Sequence, residues 1–212
     1  MKGVNDMSGN NKDMIRVTSP VERLSHWALA VSCLICLITG LGFMFRTWEV
    51  IPSLFGGYYA AKWIHIFSGV IFTMSLINAF FMWRKDCAFE KDDLGWIIQG
   101  GGYLWEAKNL PPVYKFNAGQ KAFFWFVVVF GAIIAVSGFF MWFSAGLPPV
   151  IARLSYMLHA LGVFVVASFF IVHLYLGTIG NPGTAQAMFT GYCPRAWCET
   201  HCPRWLEDYD KK

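Results

Sequence analysis

Four uncharged, apolar runs set the pattern of the chain: residues 24–45, 63–83, 122–147 and 154–179. Each holds enough consecutive residues to cross a bilayer's hydrocarbon core as a helix. The runs lack the strict alternation that a membrane β-barrel requires. Polar punctuation separates them. Ser19-Pro20 opens the first helix, as proline suits a first helical position. Pro52 and Gly56-Gly57 turn the first loop. The second loop, 84–121, is long for a helix connection. Within it, residues 93–99 read as a short amphipathic piece lying on the inner leaflet. Pro148-Pro149 makes a tight outer turn, and Gly180-Asn181-Pro182-Gly183 stops the last run.

Composition turns this pattern into a class. Of 212 residues, 56% are hydrophobic and 14% charged, against about a quarter charged in soluble domains. The expected fold is an all-α, integral-membrane four-helix bundle. Residues 1–13 read as a disordered polar segment, 14–179 as the bundle and 180–212 as a tail. Lys and Arg number four before the first run, two in the first loop, six in the second, one in the third and four in the tail. The positive-inside rule therefore places both termini and the second loop in the cytoplasm. On that topology Cys87, Cys193, Cys198 and Cys202 lie on the reducing side, and Cys33 and Cys36 pack within lipid.

All four runs lack Asp and Glu, yet they hold His26, His65, His159 and His173. An ionisable side chain within lipid is costly and marks a functional position. His159 and His173 are fourteen residues apart, which puts them ~40° apart around the helix and ~21 Å apart in depth. Sorting by depth gives two pairs, each drawn from two helices: His26 with His173 near the cytoplasmic side, and His65 with His159 near the outer side. The separation excludes one shared metal. The lack of carboxylates argues against a proton relay. Two b-type haems, each held by two neutral imidazoles, are the best account. Gly40, Ala79 and Gly162 offer small residues where a macrocycle must slide past. Gly131 and Gly138 allow close approach of a helix or a flat ligand.

The chain resembles the cytochrome b (gamma) subunit of membrane-bound respiratory formate dehydrogenase. The matching stretches are Arg23-Leu24-Ser25-His26-Trp27, Ile64-His65, Asn117-Ala118-Gly119-Gln120-Lys121, Leu158-His159-Ala160, His173-Leu174-Tyr175 and His201-Cys202-Pro203-Arg204-Trp205. The resemblance implies that His26 and His173 hold the inner haem and His65 and His159 the outer. It implies a quinone, menaquinone or ubiquinone, beside Asn117, Gly119, Gln120 and His173. It implies iron–sulfur (beta) and molybdopterin (alpha) partner subunits in a bacterial cytoplasmic membrane, with room for a higher oligomer and no role for nucleic acid. On this reading the chain passes electrons to quinone and does no formate chemistry itself. Related b-type cytochromes serve nickel–iron hydrogenases and other molybdopterin oxidoreductases, and a haem-free anchor or transporter-like bundle is a third reading.

Two stretches carry a second reading. Asn117 to Lys121 is also a polar helix start with Asn117 as N-cap. Cys193, Cys198, His201 and Cys202 include ligand types for zinc or a cluster, although their spacing matches no strong motif.

Overall fold

The structure, a computed structural model, describes residues 13–102 and 110–211. Most of the polar N-terminal segment lies outside these residues. Four long helices correspond to the four apolar runs: α1 (Pro20–Met44), α3 (Tyr58–Trp83), α5 (Ala118–Trp142) and α6 (Pro149–Tyr175), the last continued by a π-helical turn, Leu176–Gly180. All four are long and apolar enough to cross a membrane. The protein is a membrane protein, in which helices satisfy their own backbone polar groups where water is absent.

Helix boundaries follow local chemistry. The backbone N–H of Glu22 donates to Ser19 Oγ (3.1 Å), and the Ser19 N–H donates to Glu22 Oε2 (2.7 Å). This reciprocal capping box fixes the start of α1. The first loop contains a short helix, α2 (Val50–Leu54), that the apolar pattern did not reveal. The amphipathic piece of the second loop is α4 (Lys91–Ile98). Three short helices follow α6: α7 (Thr184–Phe189), α8 (Arg195–His201) and α9 (Pro203–Asp210).

Contacts divide the chain into two compact units. One comprises Leu24–Met82 and Phe126–Val172, the bulk of the four long helices. Small residues set its packing. A Cβ at Gly131 would meet Leu76 at 2.9 Å, and one at Gly162 would meet Ile134 at 2.8 Å. Gly162 therefore serves helix contact rather than the passage of a flat ligand. Asn78 Nδ2 donates to Ser25 Oγ across α3 and α1 (2.6 Å). Phe67, Met74, Phe81, Phe164 and Ile171 are exposed, as lipid-facing side chains would be.

The other unit gathers the chain before Leu24, the second loop with the first turns of α5, and everything from His173 onward. This unit is assembled from three separate segments of the chain. Strand β1 (Met14–Arg16) pairs antiparallel with β2 (Tyr192–Pro194), Ile15 opposite Cys193. Thr18 Oγ1 donates to Ala187 O (2.5 Å) and Arg23 to Thr190 O (2.9 Å), so both chain ends are bound together.

Of the two readings of Cys193, Cys198, His201 and Cys202, free thiols and a metal site, the packing favours the first. Among the described residues no three His, Cys, Asp or Glu side chains come together to hold a metal. The three thiols instead lie in a small apolar core with Ile15, Ala187 and Leu206. The His201 ring stacks on Trp197 (4.4 Å between centres), and His201 Nδ1 lies 2.9 Å from Trp197 O, a contact in which the carbonyl accepts. Burial pushes the Cys193 and Cys87 thiols up to about 12. Their thiolate fraction at neutral pH is then roughly a thousandfold below that of an ordinary thiol. Maleimide labelling at pH 7 followed by peptide mass spectrometry should leave both unmodified in the folded protein and modified after denaturation. Labelling of the folded protein at the rate of a free thiol would contradict this packing.

Candidate functional site

Within the unit of long helices, α3 brings His65 and α6 brings His159 together. Their ring centres are 6.3 Å apart and their planes are inclined at 59°. Hydrogen bonding fixes both tautomers. His159 Nδ1 lies 3.0 Å from Ile134 O. A carbonyl can only accept, so Nδ1 carries the hydrogen. His65 Nδ1 lies 2.8 Å from Thr39 Oγ1. The Thr39 hydroxyl donates its one hydrogen back to Ile35 O (2.7 Å), so it accepts from His65. Each imidazole is left with the lone pair of Nε2, the form that ligates a metal.

The spacing suits a metal between the rings. Two metal–nitrogen bonds of about 2.0–2.1 Å, with about 1 Å from each nitrogen to its ring centre, make roughly 6 Å. A Cβ at Gly138 would lie 3.0 Å from His159 Cε1, and one at Gly40 would lie 3.4 Å from His65 Cε1. The rings occupy space that larger side chains would take. Phe43 closes on His65 edge-on, 5.6 Å between centres. The residues therefore fit a haem iron held between His65 and His159. Second-sphere groups of this kind orient ligands and raise their basicity.

His26 lies on α1 in the same unit, with Trp27 packed edge-on at 5.3 Å. His173 belongs to the other unit, where it stacks on Phe123 of α5, 4.5 Å between centres and 3° between planes. Phe123 is one turn beyond Gln120. The first turn of α5 is a second capping box: Gln120 N donates to Asn117 Oδ1 (2.8 Å) and Asn117 N donates to Gln120 Oε1 (2.9 Å). The helix-start reading of this stretch is therefore correct. It consumes only the amide oxygens. Among the described residues no hydrogen bond engages the side-chain nitrogens of Asn117 and Gln120.

The α4 helix backs this turn. Trp96 lies against Gly119, where a Cβ would be 3.1 Å from its ring. Lys121 Nζ donates to Asp93 Oδ2 (2.9 Å), and both residues are buried. Glu22 accepts from Lys115 Nζ (2.6 Å) and from Trp83 Nε1 (3.3 Å). The roles of Thr39 and Ile134, and the clamp of Asp93 on Lys121, escaped the sequence. They depend on helix register, which periodicity does not supply. Only the polarity of Thr39 in an apolar run hinted at one of them.

Known proteins similar to the chain are cytochrome b subunits. The chain is 29% identical over 210 residues to the formate dehydrogenase cytochrome b556(fdo) subunit of Escherichia coli K12, covering 93% of this chain and 94% of that subunit. It is 25% identical over 202 residues to the nitrate-inducible cytochrome b556(Fdn) subunit of the same organism, covering 93% of each. The formate dehydrogenase cytochrome b556 subunit of Haemophilus influenzae is 25% identical over 208 residues, covering 94% of this chain and 84% of that one. The family model of prokaryotic cytochrome b561 matches residues 17–191, and with that match spanning most of a four-helix membrane chain, the protein belongs to the prokaryotic cytochrome b561 family.

Proposed function

We propose that the chain is the cytochrome b subunit of a formate dehydrogenase, carrying electrons from a partner iron–sulfur subunit through two b haems to a membrane quinone. The observation that carries this reading is the pair His65 and His159, with both Nδ1 atoms hydrogen-bonded and both Nε2 atoms available. The haems supply one-electron transfer. The names of the relatives support the formate dehydrogenase assignment, and the iron–sulfur and molybdopterin partners are those the sequence resemblance implies. His26 and His173, paired by their predicted depth, are assigned to the inner haem. The charge distribution supports a bacterial cytoplasmic membrane with both termini inside.

Quinone reduction is assigned to the first turn of α5 with His173. The side-chain nitrogens of Asn117 and Gln120 are donors for a quinone oxygen. Gly119 seats the Trp96 ring against this turn, and Phe123 beside His173 offers an apolar wall. Reduction to quinol takes two electrons and two protons, and on this topology the protons come from the cytoplasm.

Gln120→Glu separates this role from capping, because a carboxylate oxygen still accepts from Asn117 N while the amide donor is lost. In the purified complex, kcat/KM for quinone should fall roughly tenfold, the loss expected for one hydrogen bond, with haem content unchanged. Unaltered quinone kinetics would remove Gln120 from the site. Co-purification of iron–sulfur and molybdopterin subunits, read by mass spectrometry, tests the complex. Recovery of a hydrogenase large subunit instead would replace the formate dehydrogenase assignment.

A further inference from the structure

Each of the two histidines has a hydroxyl and a main-chain group at its Nδ1, and the hydroxyl is the closer for His65. His159 Nδ1 lies 3.0 Å from a main-chain carbonyl, Ile134 O, and 3.3 Å from the Ser137 hydroxyl. His65 Nδ1 meets a hydroxyl, Thr39 Oγ1 at 2.8 Å, with the Cys36 main chain also beside the ring. Thr39 is 1% exposed, so no solvent replaces that acceptor. Its hydrogen is directed at Ile35 O (2.7 Å), with Cys36 O at 3.2 Å. Its lone pairs are thereby left to His65. A β-branched side chain on a helix has few rotamers, so the acceptor is fixed before a cofactor enters.

We propose that Thr39 is the positioning residue for the outer haem ligand: by accepting from His65 Nδ1 it sets the ring's orientation and electron density, and so the reduction potential of the outer haem. The inference rests on the reading of His65 and His159 as haem ligands. An acceptor on Nδ1–H raises the basicity of Nε2. A more basic imidazole favours the ferric iron, with its higher charge, and lowers the potential. Removing the acceptor raises it.

The test uses the assembled, haem-loaded complex, with optical redox titration and electron paramagnetic resonance of the two haems. Thr39→Val keeps the shape and deletes the acceptor. It should shift the outer haem toward its reduced form by roughly three- to tenfold, tenfold being 59 mV for one electron. The ferric resonance of the outer haem should move with it. Thr39→Ser restores the hydroxyl and should return both to the wild-type position, and the inner haem should be unmoved throughout. If Thr39→Val does not assemble, Thr39→Ala makes the same deletion with less bulk and should give the same shift. An unshifted potential in either deletion variant, or an equal shift in Thr39→Ser, overturns the proposal. His65→Ala tests the underlying reading separately. Retention of the outer haem there refutes the ligand assignment, whatever Thr39 does.

Discussion

Replacing His159 with alanine should reduce the haem content from two per chain to one. With the pairing proposed above, the outer haem would lose one of the two histidines that would hold it. The remaining ligand, His65, keeps its place through Thr39, so local collapse is not expected to rescue the site. The cavity left between Gly138 and the His65 ring would instead admit water or an exogenous ligand. Formate-driven quinone reduction should fall to background, because on the proposed route electrons enter through the outer haem. A quinol analogue should still reduce the inner haem from its own side. The reduced-minus-oxidised spectrum and a pyridine haemochrome count measure the first effect, and stopped-flow reduction by quinol the second. Full retention of both haems would refute the pairing. Loss of both would mean that His159 supports the whole bundle rather than one cofactor.

The histidine pair was legible in the sequence for a geometric reason. In a membrane-spanning helix, depth follows directly from residue number. Sorting by depth therefore put His65 beside His159 before any packing was known. What stayed hidden depends on rotation and register between helices. Thr39 meets His65 across 26 positions, and Ile134 O meets His159 across 25. Nothing periodic links them. The glycines show the same division. Gly162 looked like clearance for a ligand and is in fact filled by Ile134, whereas Gly138 lies against the His159 ring.

Outside the long helices, the sequence was read less well. Strands of three residues at Met14–Arg16 and Tyr192–Pro194 are too short for alternation to register. Their pairing nonetheless accounts for the tail cysteines. Cys193 faces inward opposite Ile15, and Cys198 and Cys202 join the same apolar core. Ligand chemistry offered metal as a second reading for residues that pack here as small hydrophobes. The Asn117 stretch was ambiguous for another reason: one amide can cap a helix through oxygen and still donate through nitrogen, and the structure shows only the first of these roles.

Asp93→Asn should be among the most destabilising single changes outside the long helices' shared interior. Asp93 Oδ2 receives two hydrogen bonds, one from Lys121 Nζ (2.9 Å) and one from the Glu90 backbone N–H (2.7 Å). Asparagine can keep the backbone bond through its amide oxygen. It cannot neutralise Lys121, which is 2% exposed. An unpaired buried ammonium costs about 3–5 kcal/mol. Lys121→Met removes that charge and leaves a carboxylate still capped by the backbone, so it should cost less. The double variant Asp93→Asn with Lys121→Met should recover most of the loss, because replacing a buried pair by neutral groups is often tolerated. Thermal unfolding in detergent, run as a double-mutant cycle, reads this order directly. Additive losses would show that the two side chains are not coupled. The same cycle should appear in quinone kinetics. α4 carries Trp96, whose ring lies against Gly119 in the turn that also holds Asn117 and Gln120. Loosening α4 therefore disturbs the proposed quinone contacts without touching a haem ligand: KM for quinone should rise in Asp93→Asn and fall back in the double variant, with haem spectra constant.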